Sequence, residues 1–229
     1  MCSLEGADNN FFVEGFSAKL LYAVLVFGLI KKEGLQIMFK RIILVATLLL
    51  VAASAQADYK LDNKQSTFNF ISIKKGKIAE THTFNKITGS IAANGAANMS
   101  IDLNSVETHI ATRNERMKTM LFETVTFPAA LISTNIDIAQ LEGLQVGEMM
   151  AMPVVLSVNL HGKSKEMATV LSVVKLSNSG VLVTTTKPIL LNAFDFGLDT
   201  GIQALMDVAK LPSIATAVPV SFSLVFKRE

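Results

Sequence analysis

Groups able to do covalent or metal chemistry are sparse in this chain. The single cysteine is Cys2, and the three histidines, His82, His109 and His161, stand far apart with no ligand spacing between them. No HExxH pair, GxSxG elbow, Walker loop or GxGxxG fingerprint occurs. Asp195 and Asp199 are four apart, a spacing at which loop carboxylates usually cap turns or helices. His161 precedes Gly162 and reads as a hairpin residue; as a metal ligand it would need His82 or His109 beside it. No catalytic residue, metal or cofactor is therefore expected. Apolar side chains, in contrast, are plentiful. Phe68, Phe70, Phe84, Met99, Met117, Met120, Phe122, Phe127, Phe222 and Phe226 are candidates to line an interior. The chemistry they offer is removal of an apolar guest from water, with methionines adapting to a flexible chain. Arg113 and Arg116 bracket a short segment and have two readings. They form a basic rim for a ligand head group, or Arg113 ties its own turn to backbone carbonyls or Glu115.

The elements that must position these residues read mainly as strands. Ser66–Ile73 puts Phe68 and Phe70 on one face. Met99, Ile101 and Leu103 alternate with polar residues, and residues 89–93 and 130–138 read as weaker strands. Met152, Val154, Leu156, Val158 and Leu160 share a face, and Val218, Val220, Phe222, Leu224 and Phe226 repeat with a strict period of two. Gly162 and Asn178-Ser179-Gly180 mark hairpin turns on either side of a strand over 167–176, and 181–187 returns. Two segments switch to helical spacing: 113–122, with Met117, Met120 and Leu121, and 200–211, with Ile202, Leu205, Met206 and Ala209. Both stripes read as core-facing, with a lid at a barrel mouth as the alternative. The pattern predicts an all-β, antiparallel barrel of about eight strands with one or two short helices, or a sandwich. The Lys74-Lys75-Gly76-Lys77 cluster reads as a solvated hairpin end, or as a contact for an anionic membrane surface.

The first 57 residues read as processing sequence. Lys40 and Arg41 precede the apolar run Ile42–Ala53, and Ala55-Gln56-Ala57 offers the small residues a signal peptidase reads. Residues 38–57 are thus expected to be a signal peptide cut after Ala57, and 1–37 an upstream extension ahead of the true start at Met38. The rivals are a buried core segment for the first and a membrane-hairpin anchor for the second. Residues 58–229 then form one domain with sixteen basic and fifteen acidic residues and no cysteine, stabilised by its core without disulfides. The formal net charge of the whole chain is only +2, which argues against nucleic acid as a partner.

Residues 101–133 carry a specific order of features: Ser105 and Thr108 at a strand end, Arg113-Asn114 in a turn, Phe122 ending a helix, and Phe127-Pro128 entering the next strand. Ser66-Thr67-Phe68-Asn69-Phe70, Phe84 with Gly89-Ser90-Ile91, Leu160-His161-Gly162 and Asp195-Phe196-Gly197 extend the match across 58–229. This ordered set resembles the YceI-like family. Tyr59 stands where that family usually has Trp, and Ala193 where an Arg is common. The resemblance implies a lipocalin-like barrel in the bacterial periplasm, binding a polyisoprenoid or isoprenoid-quinone-like lipid without catalysis. Phe68, Phe70, Phe84, Arg113, Met117, Met120, Phe122, Phe127 and Phe222 are the ligand-binding residues expected. The expected partners are that apolar lipid-like molecule, a membrane surface met transiently, and a second copy in a homodimer. Two other readings stay open on the sequence: a filled-barrel interaction module for a membrane redox or stress-response protein, and an enzyme acting on a lipid-like substrate.

Overall fold

Twelve strand segments dominate the computed structural model, which describes residues 57–228. The upstream stretch and the signal-like run Ile42–Ala53 lie outside the described residues. In chain order the segments are β1 (Ala57–Leu61), β2 (Thr67–Lys74), β3 (Ile78–Phe84), β4 (Ile87–Ala92), β5 (Ala96–Asp102) and β6 (Val106–Glu107). There follow β7 (Ala129–Asn135), β8 (Met149–Leu160), β9 (Lys163–Ser177), β10 (Gly180–Thr185), β11 (Ile189–Asn192) and β12 (Ala217–Lys227).

Several segments are halves of one bent strand. Along β12, Lys227 lies between Lys60 and Gly180, Ser223 between Thr67 and Thr184, and Val220 between Phe70 and Ile189. β1 and β2 therefore share one edge of β12, and β10 and β11 share the other. β3 and β4 pair with β2 and β1 in the same way, and β6 and β5 pair with β3 and β4. The result is eight antiparallel strands, each paired with its chain neighbours, closed where β12 meets β1 and β2. The bends have local causes. Between β1 and β2 a 3-10 turn at Asn63–Gln65 is capped by Asp62, whose carboxylate accepts from Lys64 N at 3.0 Å. Between β5 and β6, Asp102 caps the turn Leu103–Ser105 in the same manner.

Alternation along each strand sends one set of side chains inward. In β8 the buried residues are Met152, Val154, Leu156, Val158 and Leu160, and in β12 Val220, Phe222, Leu224 and Phe226 are buried on the inward face, with Val225 buried on the other. Both faces match the sequence reading. The hairpin at His161-Gly162 is also as expected, with φ of 53° and 74°.

Three α-helices are described: α1 (Ala111–Arg116), widening into a π turn over Met117–Leu121, α2 (Ile138–Gly143), and α3 (Asp199–Ala209). The strand expected over 130–138 ends at Asn135, because Asp137 accepts from Ala139 N at 3.0 Å and turns Ile138 into the start of α2. The π turn and α3 cross closely. A Cβ on Gly201 would lie 2.6 Å from Met120 O and 2.8 Å from Leu121 Cα, backbone atoms that cannot swing aside. Gly201→Ala is therefore expected to destabilise the fold by about 1–3 kcal/mol, although alanine is the better helix former. Thermal denaturation checks this; an unchanged or raised Tm would refute the close crossing.

Candidate functional site

Eight closed strands leave a hollow of about 530 Å³, within the usual range for small-molecule sites. Its wall is mostly aliphatic and aromatic. Phe68 stacks on Phe222 at 6.2 Å between ring centroids, Phe70 on Phe84 at 5.3 Å, and Phe84 meets Phe122 at 5.8 Å. α3 contributes Ile202, Leu205 and Ala209 to the lining, and α1 with its π turn contributes Arg113, Arg116, Met117 and Leu121. At the far end Leu141 of α2 reaches the wall. Nearby, Tyr59 is wholly buried, its hydroxyl accepting from the buried Lys175 Nζ at 3.3 Å.

Polarity is concentrated at the end closed by the β2–β3 hairpin and α1. Glu80 sits between two cations, 2.7 Å from Lys74 Nζ and 2.9 Å from Arg113 Nη1. Those hydrogen bonds, Lys74 first, hold its carboxyl below the usual value against the opposing effect of burial. Arg113 also donates from Nη2 to Thr108 O, which fixes its side chain, while its buried Nε has no partner. Arg116 lines the same end. Next to them His82 is 3% exposed, with Nε2 2.8 Å from Ser72 Oγ and Nδ1 unpartnered. Burial, then the nearby Arg113 charge, lowers its pKa from 6.5 to about 4, so the imidazole is neutral at pH 7. Lys74, Arg113 and Arg116 against Glu80 leave this end positively charged.

Of the residues expected from the sequence, Phe68, Phe70, Phe84, Arg113, Met117, Phe122 and Phe222 line the cavity together. Met120 and Phe127 do not. The backbone carbonyl of Met120 lies against Gly201 of α3, and Met120 is not among the residues that line the hollow. Phe127 lies outside the lumen over the β8–β9 hairpin, 4.3 Å from the His161 ring and against Gly162. Lys74 is not a solvated hairpin residue; it turns in to Glu80 because it continues the inward face of Phe68, Phe70 and Ser72. Arg113 is tied to Thr108 O and Glu80 and not to Glu115, which pairs with Lys118. Asp195 pairs with Lys165, and Asp199 lies in the first turn of α3. Sequence reasoning missed Ser72, Glu80 and His82, whose signal was the continuation of the Phe68–Phe70 and Phe84 faces by two-residue steps. Among the described residues no group of three or more His, Cys, Asp or Glu could hold a metal ion.

The Ser72–His82 distance suits a nucleophile and its base. Two features oppose that use: no carboxylate orients Nδ1, and a pKa of about 4 is far below that of a base working near neutrality.

Comparison with known proteins places these features. The model of the YceI-like domain matches residues 59–226. A solved polyisoprenoid binding domain from Saccharophagus degradans, implicated in plant cell wall breakdown, is 40% identical, with a TM-score of 0.75. That match covers 76% of this chain and all of the other. BcnA of Burkholderia cenocepacia has the same fold at 18% identity and a TM-score of 0.57, over 72% of this chain and 98% of its own. No curated protein matches the sequence.

His82 makes a pH prediction. Its folded pKa lies below the unfolded value, so between pH 6.5 and about 4 the unfolded chain binds more protons and stability falls as pH drops. His82→Gln should flatten this part of the profile, removing about 2 kcal/mol of the fall after allowance for solvent at the mouth. Denaturant midpoints measured across the window check it; parallel profiles for parent and variant would refute it.

Proposed function

The chain belongs to the YceI-like family, and on that footing we propose that it is a non-catalytic periplasmic carrier of a polyisoprenoid or isoprenoid-quinone-like lipid. The observation that carries this reading is the about 530 Å³ cavity, apolar along its length and polar at one end. An amphiphile with a long hydrocarbon tail and a compact head has that same distribution. Binding would be driven by removing the tail from water, worth roughly 25 cal/mol per Å² of apolar surface before ordering costs. The head lies at the Lys74–Glu80–Arg113 end, where Arg113 Nε and His82 Nδ1 have no other partner. Phe68, Phe70, Phe84, Met117, Phe122 and Phe222 contact the tail.

Absence of catalysis is supported by the engaged state of the ionisable groups: Glu80 is held between two cations, and His82 is neutral with a low pKa. The Ser72–His82 pair is the one observation that favours an enzyme acting on a lipid ester. Hydrolysis of a p-nitrophenyl ester that is lost in Ser72→Ala would establish that rival. The hollow interior argues against a filled barrel acting only through its outer face.

Export to the periplasm rests on the signal-like segment 38–57. Lys75 and Lys77, exposed beside the mouth, and Ile110, half exposed on its wall, suit brief contact with an anionic membrane surface during loading.

Organic extraction of protein purified from its native periplasm, followed by mass spectrometry, is expected to release a polyprenyl lipid at near-stoichiometric yield. Val183→Trp, which puts an indole into the lumen, should reduce that yield several-fold while the barrel still folds. Equal lipid recovery from parent and variant, or none from the parent, would refute the carrier reading.

A further inference from the structure

Five residues of the cavity lining carry ionisable groups: Lys74, Glu80, His82, Arg113 and Arg116. His82 is neutral at pH 7, so three cations face one carboxylate and two positive charges are left over. That surplus stands beside an otherwise apolar wall, where charge is costly to hold without a partner.

The acids near this end are already engaged. Glu80 lies 2.7 Å from Lys74 Nζ and 2.9 Å from Arg113 Nη1. Glu115 pairs with Lys118 at 2.9 Å, and Glu107 accepts from Asn114 Nδ2 at 3.1 Å. Arg116 is left out of all these pairs. It is half-buried, it lines the cavity, and among the described residues it makes no hydrogen bond or ion pair. Arg113, one turn earlier on α1, uses Nη1 and Nη2, but its buried Nε has no partner. Residues three apart on a helix share a face, so two guanidinium groups with unused donors stand on one face of α1 at the cavity wall. His82 Nδ1 is unpartnered as well. With the Ser72 hydroxyl donating to Nε2 at 2.8 Å, Nδ1 carries the ring proton and becomes a third donor.

These donors define the head group they suit. A neutral quinone or alcohol satisfies one or two of them and neutralises no charge. An oxyanion, phosphate or carboxylate, brings several acceptor oxygens and the opposite charge, and the planar fork of arginine matches its geometry. We propose that this protein selects lipids with an oxyanion head over neutral lipids of the same tail, and that Arg116 is the selecting residue. This rests on the lipid-carrier reading and adds to it the chemical class of the head. Arg113, held by Glu80 and Thr108 O, supplies a fixed Nε, whereas Arg116 has no tie and its whole fork is available to the head.

Farnesol, farnesoic acid and farnesyl monophosphate share one tail and differ in the head. Each is titrated against protein loaded with N-phenyl-1-naphthylamine, a neutral fluorophore that brightens in apolar cavities, and displacement gives the affinity. The parent is expected to bind the phosphate, the carboxylate or both about tenfold more tightly than the alcohol. Arg116→Gln should weaken binding of the preferred acid about tenfold and leave the alcohol unchanged. Lys118→Gln removes the same charge from a residue outside the cavity lining and should leave the preference intact. Equal affinity for all three lipids in the parent, or an undiminished preference in Arg116→Gln, overturns the selectivity and leaves the carrier reading standing. Loss of all three lipids alike in Arg116→Gln, or an equal loss of preference in Lys118→Gln, overturns the role of Arg116. A parent protein that takes up neither the fluorophore nor any of the lipids overturns the carrier reading itself, and the selectivity with it.

Discussion

Closure of the sheet is the constraint on which everything else depends. Strand β12 is contacted along both edges, by β1 and β2 on one and by β10 and β11 on the other. With no free end, each strand must send alternate side chains into a shared interior. The inward residues of β8 and β12 are apolar and buried, yet they do not fill the interior, because about 530 Å³ remains. Burial of the wall and vacancy at the axis are compatible because each side chain packs sideways on its strand neighbours, as the Phe68–Phe222 and Phe70–Phe84 stacks do.

Such a hollow requires covers and a defined way in. α1 with its π turn and α3 close one end, and their separation is set by Gly201, where backbone approaches backbone. The charged groups at this end are arranged with economy. Glu80 holds both Lys74 and Arg113, which keeps two half-buried cations in place beside an apolar wall. Burial, aided by the Arg113 charge, keeps His82 neutral, so the end presents fixed positive charge and uncharged hydrogen-bonding atoms side by side.

Much of the barrel was legible in the sequence, and the exceptions have physical reasons. β8 and β12 were evident because every second residue is apolar over ten positions or so. β3 was not, because its inward residues Glu80 and His82 are polar where the strand passes the mouth, so the alternation that identifies a strand is absent there. α2 was hidden because the alternation of 130–135 runs on in the sequence into Ile138, and only the cap from Asp137 ends it. Met120 and Phe127 were grouped with the lumen by their type, yet a residue on a π turn or a loop has no fixed inward phase to read.

By itself the sequence pattern determined an antiparallel β protein with a greasy interior, a barrel or a sandwich. Residue type and a period of two suffice for that, since both act locally. Tertiary structure alone decided that the sheet closes around a hollow and that Lys74, Glu80, His82 and Arg113 converge at one end. These are matters of distance between segments remote along the chain, set by how the strands tilt and close, which no local pattern encodes.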